Sequence, residues 1–339
     1  MQFNLSQNQK IVYLLGAGAT HAELSHALKE DAAAPNFLKD KGLLLKLVSK
    51  RVTTLAQSKE FFKSIKVFSA PTGSSNIELL ISLIEDNNNQ IKKSSGITTQ
   101  LKKLVENDIK GVLTETLRKK FYLHKALLEL DRENRDREDT LGYISLNYDT
   151  VLDEAYCEIL KTKKPNYCIA PLEEINNKNK KKLPLLLKLH GSFKWRGYSK
   201  IEKIPIIPLG VNKNYLQLPY SFIWGYAHEI LKKCDVLRVI GCSLSQNDFR
   251  LIDLLFKAHL HKKSPFEIHI IDFDENGDSI KGNYEFFTGV KNFSAIFGTK
   301  DSNKRQPTNE SFQKWLKQRG GELKEEKKDK TKYLKKLIT

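Results

Sequence analysis

Nowhere in the 339 residues does an apolar run approach the roughly 18–20 residues of a membrane-spanning helix, so no membrane location is expected. The opening MQFNLSQNQK lacks a basic patch leading into an apolar stretch, so no secretory signal is visible and the cytoplasm is the expected compartment. Cysteine is scarce. The four present, Cys157, Cys168, Cys234 and Cys242, show no CxxC spacing, which excludes a zinc knuckle and offers no disulfide framework. They read as reduced, small apolar residues, and no metal is expected.

What the chain does have is an ordinary core-forming composition, 40% hydrophobic and 9% aromatic. Its length suits one large α/β domain with an appendage, or two small domains. The formal net charge of +17 raises the question of nucleic acid. The charge is not focused, however. Residues 301–339 hold 12 Lys/Arg against 6 Asp/Glu, and the remaining excess is spread over 300 residues. A lysine-rich surface accounts for that distribution, so direct nucleic-acid binding is not favoured. The segment 301–339 reads as a charged basic C-terminal tail, solvated by default.

Continuous apolar runs alternate with helix-compatible segments. IVYLLGAGAT leads into HAELSHALKE, and GYISLNYDT (142–150) leads into VLDEAYCEIL. LPLLLKLHGS (183–192) reads as a strand and SFIWGYAHEILKKC as a helix. DVLRVIGCSL then reads as a strand, NDFRLIDLLFKAHLHK as a helix, and FEIHIIDFD (266–274) as the last strong strand. KIPIIPLG (203–210) is proline-marked and reads as a loop or edge element. Strands of this kind predict an α/β, Rossmann-like parallel sheet with helices on both faces. From about 37 to 138 the period is helical, which predicts a helical insertion after the first strand–helix unit. The whole of 1–300 is read as one catalytic domain.

Four motifs sit at strand ends: GAGAT at 16–20, LNYD at 146–149, KLHGS at 188–192 and GCSLSQND at 241–248. In open α/β sheets, ligands bind outside the carboxyl ends of the strands. Gly16, Ala17 and Gly18 form a strand-to-helix turn where pyrophosphate can meet helix N-terminal N–H groups, although His21 replaces the third glycine of GxGxxG. Thr20 suits a helix cap or a phosphate oxygen. Asn147 offers both donor and acceptor to a ribose hydroxyl or a water. Asp149 fits a helix cap and also a place in the dinucleotide site, the cap being the simpler reading. Among eight histidines, His190 alone ends a strong strand beside a glycine, where an imidazole suits proton transfer. Gly241 and Ser243 end another strand, and Asp248 looks like an N-cap. Asp272 would accept bonds from an adenosine ribose and disfavour a 2′-phosphate, pointing to NAD over NADP.

Taken together, GAG followed by a small hydroxyl residue, NYD, KLHGS and GCSLSQND, with NIELLISLIE between them, resemble the sirtuin superfamily. Within it they are closer to the sirtuin-like NAD hydrolases of bacterial antiphage defence than to protein deacylases. The resemblance covers about 10–275. It implies that Asn147 contacts the nicotinamide ribose and positions water, that His190 is the general base, and that Gly16, Gly18, Ser243 and Asp272 line the dinucleotide. Deacylases of this superfamily usually carry a four-cysteine zinc ribbon, which this chain cannot build. That leaves water as acceptor and NAD as substrate, cleaved to nicotinamide and ADP-ribose. The alternatives are an NAD-dependent deacylase or ADP-ribosyltransferase, or a non-catalytic nucleotide-sensing module.

Unrestrained NAD hydrolysis would kill a host cell. About 60 residues follow position 275, too few for a sensor domain of typical size. Gating is therefore expected from homo-oligomerisation or a separate activating partner. By analogy that partner is an ATPase, an Argonaute-like protein or a phage protein, and the outcome is abortive infection.

Overall fold

Strand β1 (Gln9–Leu15) and strand β4 (Val236–Ile240) are the central pair of the sheet, and residues 11–15 and 236–240 are buried throughout. Such uninterrupted burial explains why neither strand alternates in polarity, β4 being apolar except for Arg238. The computed structural model describes residues 8–29, 122–169, 183–197, 207, 215–244, 248–262, 267–273, 278–285, 293–298, 311–322 and 331–338. Around the central pair lie β2 (Glu138–Ser145), β3 (Leu185–Lys188), β5 (Glu267–Phe273) and β6 (Phe293–Gly298). The order is β3-β2-β1-β4-β5-β6, with every pairing parallel. This is the doubly wound arrangement, whose order reverses between β1 and β4 and opens a crevice at their carboxyl ends.

The helices are α1 (Ala17–Lys29), α2 (Leu123–Glu133), α3 (Val151–Ile159), α4 (Tyr220–Lys233), α5 (Phe249–Leu260), α6 (Asp278–Glu285), α7 (Ser311–Gly321) and α8 (Lys332–Ile338). Most of the expected insertion, and the proline-marked segment apart from Ile207, lie outside the described residues. The end of the insertion as read from sequence is part of the main core, because Leu123, Leu127, Leu128 and Leu130 of α2 are completely buried or nearly so. Strand β6 was not expected. Its sequence, FSAIFG, is short and flanked by polar residues, so its apolar signal is weak.

The segment 301–339 departs furthest from its sequence reading. It is not a solvated tail, because its two described helices are docked on the domain. Phe312, Trp315 and Leu316 of α7 are buried, as are Tyr333, Leu334 and Leu337 of α8. The basic side chains Lys314, Lys317, Lys332, Lys335 and Lys336 lie on the exposed positions between them.

Buried acids hold these helices in place. On α1, the fully buried Glu23 accepts the N–H groups of Tyr122, Leu123 and His124 at 2.5, 3.1 and 2.9 Å. It also pairs with the His124 ring at 2.8 Å. Burial pushes its pKa up, but His124 and the N–H donors outweigh burial and hold it below the ordinary carboxylate value. Glu129 of α2 repeats the device, accepting N–H from Lys332, Tyr333 and Leu334 at 3.0, 2.8 and 2.9 Å. Each carboxylate faces the N-terminal dipole of the helix it caps and takes its unpaired donors, although at Glu129 burial outweighs the donors and raises the pKa.

A second polar cluster crosses one face of the sheet. Arg238 of β4 makes a bidentate pair with Glu138 at 2.7 and 2.8 Å and donates to the Tyr13 hydroxyl at 2.8 Å. Its guanidinium lies 5.7 Å from the Trp315 ring centroid, and Arg319 reaches the same Glu138 at 2.6 Å, so α7 closes over the cluster. The Tyr13 and Tyr143 hydroxyls both donate to Asp131.

Replacing Glu129 with Ala leaves three N–H groups of α8 without acceptors. It is expected to cost about 2 kcal/mol in urea unfolding and to make 331–338 the first site of proteolysis. A change below about 0.5 kcal/mol, the size of a neutral surface substitution, would show that α8 docks by apolar contact alone. Burial raises the Asp131 pKa to about 6. The folded state thus holds this proton more tightly than the unfolded chain, and the resulting stability is complete below about pH 4 and lost as pH rises through about 6. Relative to Asp131→Asn, which has no such proton, the wild type should lose on the order of 3 kcal/mol over that window. A pH-independent difference between the two would refute the assignment.

Candidate active site

At the reversal point, three glycines bring two backbones into direct contact. The Gly18 N–H donates to the Gly241 carbonyl at 2.9 Å, and the Gly16 N–H to the Ile240 carbonyl at 3.0 Å. A Cβ on Gly16 would lie 2.8 Å from Cys242 Cα, and one on Gly18 would lie 2.7 Å from Gly241 Cα. Gly241 has φ +61°, and a Cβ there would lie 2.6 Å from Gly18 Cα. The glycines are therefore needed to seat the first turn of α1 on the end of β4. That differs from the sequence reading, in which they opened the turn for a pyrophosphate. The N–H groups of Gly18 and Ala19 already serve the carbonyls of Gly241 and Gly16, so part of the expected anion cradle is occupied by the protein itself. Ala17, between the glycines, is exposed at the start of the helix.

Asn147 stands at the end of β2, half-buried, with its amide fixed. Nδ2 donates to the Gly16 carbonyl at 2.8 Å and to Thr20 Oγ1 at 3.0 Å. A carbonyl oxygen only accepts, so the amide nitrogen must face Gly16 and the orientation is determined. Both Nδ2 hydrogens are then used. Among the described residues, Oδ1 has no partner and remains as the acceptor that a ribose hydroxyl or a water would find.

Thr20 and Asp149 stand behind Asn147. The Thr20 hydroxyl accepts from Asn147 and donates to Asp149 Oδ2 at 2.8 Å, leaving no proton for a phosphate. Asp149 Oδ1 accepts the Val151 N–H at 3.0 Å, in the helix-start role. Both residues are buried; Thr20 holds Asn147 directly, and Asp149 in turn holds Thr20. Below them, Lys188 of β3, 1% exposed, donates to the Asp149 carbonyl and to Asp153 Oδ2 at 3.0 Å, and Asp153 also receives the Tyr167 hydroxyl. A single lysine inside LPLLLKL was the available signal of a buried charge with an internal partner.

His190 follows β3 in a turn closed by Gly191, whose φ of +93° is in the left-handed region that favours glycine. The turn is held by Ile207 N–H on the His190 carbonyl at 2.9 Å and by Trp224 Nε1 on the Leu189 carbonyl at 3.0 Å. The buried imidazole lies between the rings of Tyr148 and Tyr215, each with its centroid 6.3 Å away. Its Nε2 is 3.9 Å from Asp248 Oδ1. Asp248 does occupy the residue before α5, but its side chain makes no capping bond; only its carbonyl receives the Leu251 and Ile252 N–H groups. The carboxylate sits near the imidazole instead, a pairing that the sequence reading missed because any Asp before a helix reads as a cap.

The remaining predicted residues divide. Ser243 is exposed at the end of β4, and its carbonyl accepts from Asn283 at 2.8 Å. Asp272 is only 7% exposed, near Cys242 and Tyr284, and presents little surface to an adenosine ribose. All four cysteines are buried and free, and burial pushes the thiols of Cys168, Cys234 and Cys242 up to about 12. Among the described residues there is no cluster of His, Cys, Asp and Glu fit for a metal ion, and no helix long and apolar enough to cross a membrane.

Gly241→Ala should lose at least about 2 kcal/mol in urea unfolding, from the positive φ and from collision with α1. Gly225→Ala and Gly282→Ala, helical positions where an added Cβ meets nothing within 4 Å, should gain about 0.5–1 kcal/mol. Equal effects at all three positions would remove the argument for a backbone contact.

Residues 142–265, less than half of the chain, match the family model of a SIR2-like domain. No curated protein matches. A solved structure from work on the mechanism and regulation of Sir2 enzymes aligns at 14% identity and a TM-score of 0.35, covering 91% of this chain and 90% of its own. Another, concerned with sirtuin substrate affinity, aligns at 14% identity and 0.34, covering 80% and 87%. The parallel order β3-β2-β1-β4-β5-β6 by itself defines the Rossmann-like fold. The stretch that carries Asn147, His190 and Gly241 is similar to a SIR2-like domain.

Proposed function

We propose that this chain is an NAD glycohydrolase that cleaves NAD to nicotinamide and ADP-ribose. The observation that carries the reading is the locked Asn147 amide. Its nitrogen is fixed by Gly16 and Thr20, and its open oxygen lies at the carboxyl end of β2, next to the strand that delivers His190 and its nearby Asp248. The SIR2-like match across the same residues supports NAD as the substrate.

Nicotinamide departs with the bonding electron pair of its glycosidic bond, which neutralises the pyridinium, so no general acid is required. Positive charge then develops on the ribose. Asn147 Oδ1 holds a ribose hydroxyl or the incoming water, whose oxygen bonds to the anomeric carbon. His190 takes the water proton. Asp248 acts as a positioning residue, because its carboxylate, 3.9 Å from Nε2, favours the imidazolium that forms. Thr20, Asp149 and Lys188 maintain the arrangement without touching substrate.

Activity of this kind must be restrained in a living cell. We assign the restraint to self-assembly or to a separate activating protein, in an antiphage response that ends in NAD depletion. That assignment rests on the motif resemblance.

The direct test is nicotinamide release from NAD by purified wild type, Asn147→Ala, His190→Ala and Asp248→Asn, with and without extract from phage-infected cells. Asn147→Ala and His190→Ala should each lose about 10²-fold or more in kcat. Asp248→Asn should lose about tenfold in kcat with little change in KM, the split expected of a residue that positions the base. Folded wild type that binds NAD yet never releases nicotinamide would sink the proposal. Release only in the presence of an acylated peptide or protein acceptor would assign a transferase instead.

A further inference from the structure

Helix α5 carries more apolar surface than the fold uses. Leu251, Leu254, Leu255 and Ala258 are buried against the domain and account for its inward face. Phe249 is nevertheless 68% exposed, Leu260 62% and Phe256 38%. At about 100° per residue these three fall within about 40° of one another, on the side of the helix that points away from the buried four. They form one stripe about 16 Å long, bordered by the half-buried Ile252. Single exposed apolar residues are ordinary, whereas an aligned row of large ones marks a contact surface.

The stripe contains its own complement. Asp253 lies within it and Lys257 borders it, and the two pair along the helix at 2.8 Å. Let two copies of α5 run antiparallel about a two-fold axis near positions 254–255. Phe249 of one copy then comes opposite Leu260 of the other, Phe256 beside Ile252, and Asp253 beside Lys257. A single axis thus satisfies the apolar and the charged positions together. Each Asp253 carboxylate meets one lysine of its own helix and one of the other copy. Arg250, on the same flank, falls toward the outer ends of such a pair.

We propose that the outward face of α5 is a self-association surface. A second copy of this chain docks on it antiparallel through Phe249, Ile252, Phe256 and Leu260, and Asp253 and Lys257 set the register. None of these side chains belongs to the catalytic crevice, so the pairing stands whether or not NAD is the substrate.

The test is sedimentation of the full chain at concentrations from about 1 to 300 µM. A single helix pair is a small interface, so a dimer with a Kd of about 1–100 µM is expected. Phe249→Ser/Leu260→Ser should weaken it more than about tenfold. In dilute solution the Tm of that variant should stay within about 2 °C of wild type, because both side chains are exposed. Asp253→Lys and Lys257→Asp each set like charges across the axis and should weaken self-association about fivefold or more. An equimolar mixture of those two variants should dimerise about as tightly as wild type, since every lysine then meets a carboxylate of the other chain. A wild type that stays monomeric throughout the range, a dimer that survives the double serine substitution, or a mixture no tighter than its components would each overturn the surface.

Discussion

The contact between the Gly241 peptide and the first turn of α1 is the constraint on which the rest of the crevice depends. It fixes where β1 ends, where α1 begins and which carbonyl, that of Gly16, is left facing β2. Asn147 reads that carbonyl and the Thr20 hydroxyl one turn along the same helix. The orientation of one amide at the end of β2 is thus set by the neighbouring β1–α1 turn and, through it, by β4. A side chain on any of the three glycines would move α1 away from β4 and, with it, both acceptors that hold the amide. Specific geometry here comes from backbone contact, which has few soft degrees of freedom, more than from side-chain packing.

Away from the crevice, the fold relies on buried charge. Glu23, Glu129, Asp131, Asp153, Lys188 and Arg238 are each largely buried, and each faces several named donors or acceptors. Buried pairs of this kind add little net stability, because desolvation offsets most of the attraction. Their effect is to select partners. Glu23 accepts only the start of α2, Glu129 only the start of α8, and Arg238 ties two strands to α7. An apolar face would tolerate sliding, whereas an acid that needs three N–H groups in sequence does not.

Much of this was legible in the chain. The parallel strands announced themselves as apolar runs, and the placement of Asn147 and His190 at strand ends followed from glycine and turn residues beside them. Other features depended on partners distant in sequence. Nothing local to Thr20 or Asp149 shows that they bond each other across 129 positions, and a capping role for Asp248 was the natural reading until a histidine from another strand stood beside it. The C-terminal segment was misread for a different reason. Its lysines dominate the composition, yet Phe312, Trp315 and Leu316, and then Tyr333, Leu334 and Leu337, follow helical spacing. Periodicity was a better guide there than net charge. Strand β6 lay below the threshold of any apolar pattern and is recognisable only from its pairing with β5.

The succession from Glu23 to α2, and from Glu129 to α8, also has a temporal meaning. A ribosome adding about 5–20 residues each second needs on the order of 10–40 s to travel from Glu129 to the helix that it caps. Throughout that interval the face of α2 that receives Tyr333 and Leu334 is uncovered, and the carboxylate of Glu129 has only water to accept from. The nascent chain thus carries an exposed seam beside its core until residue 337 is available.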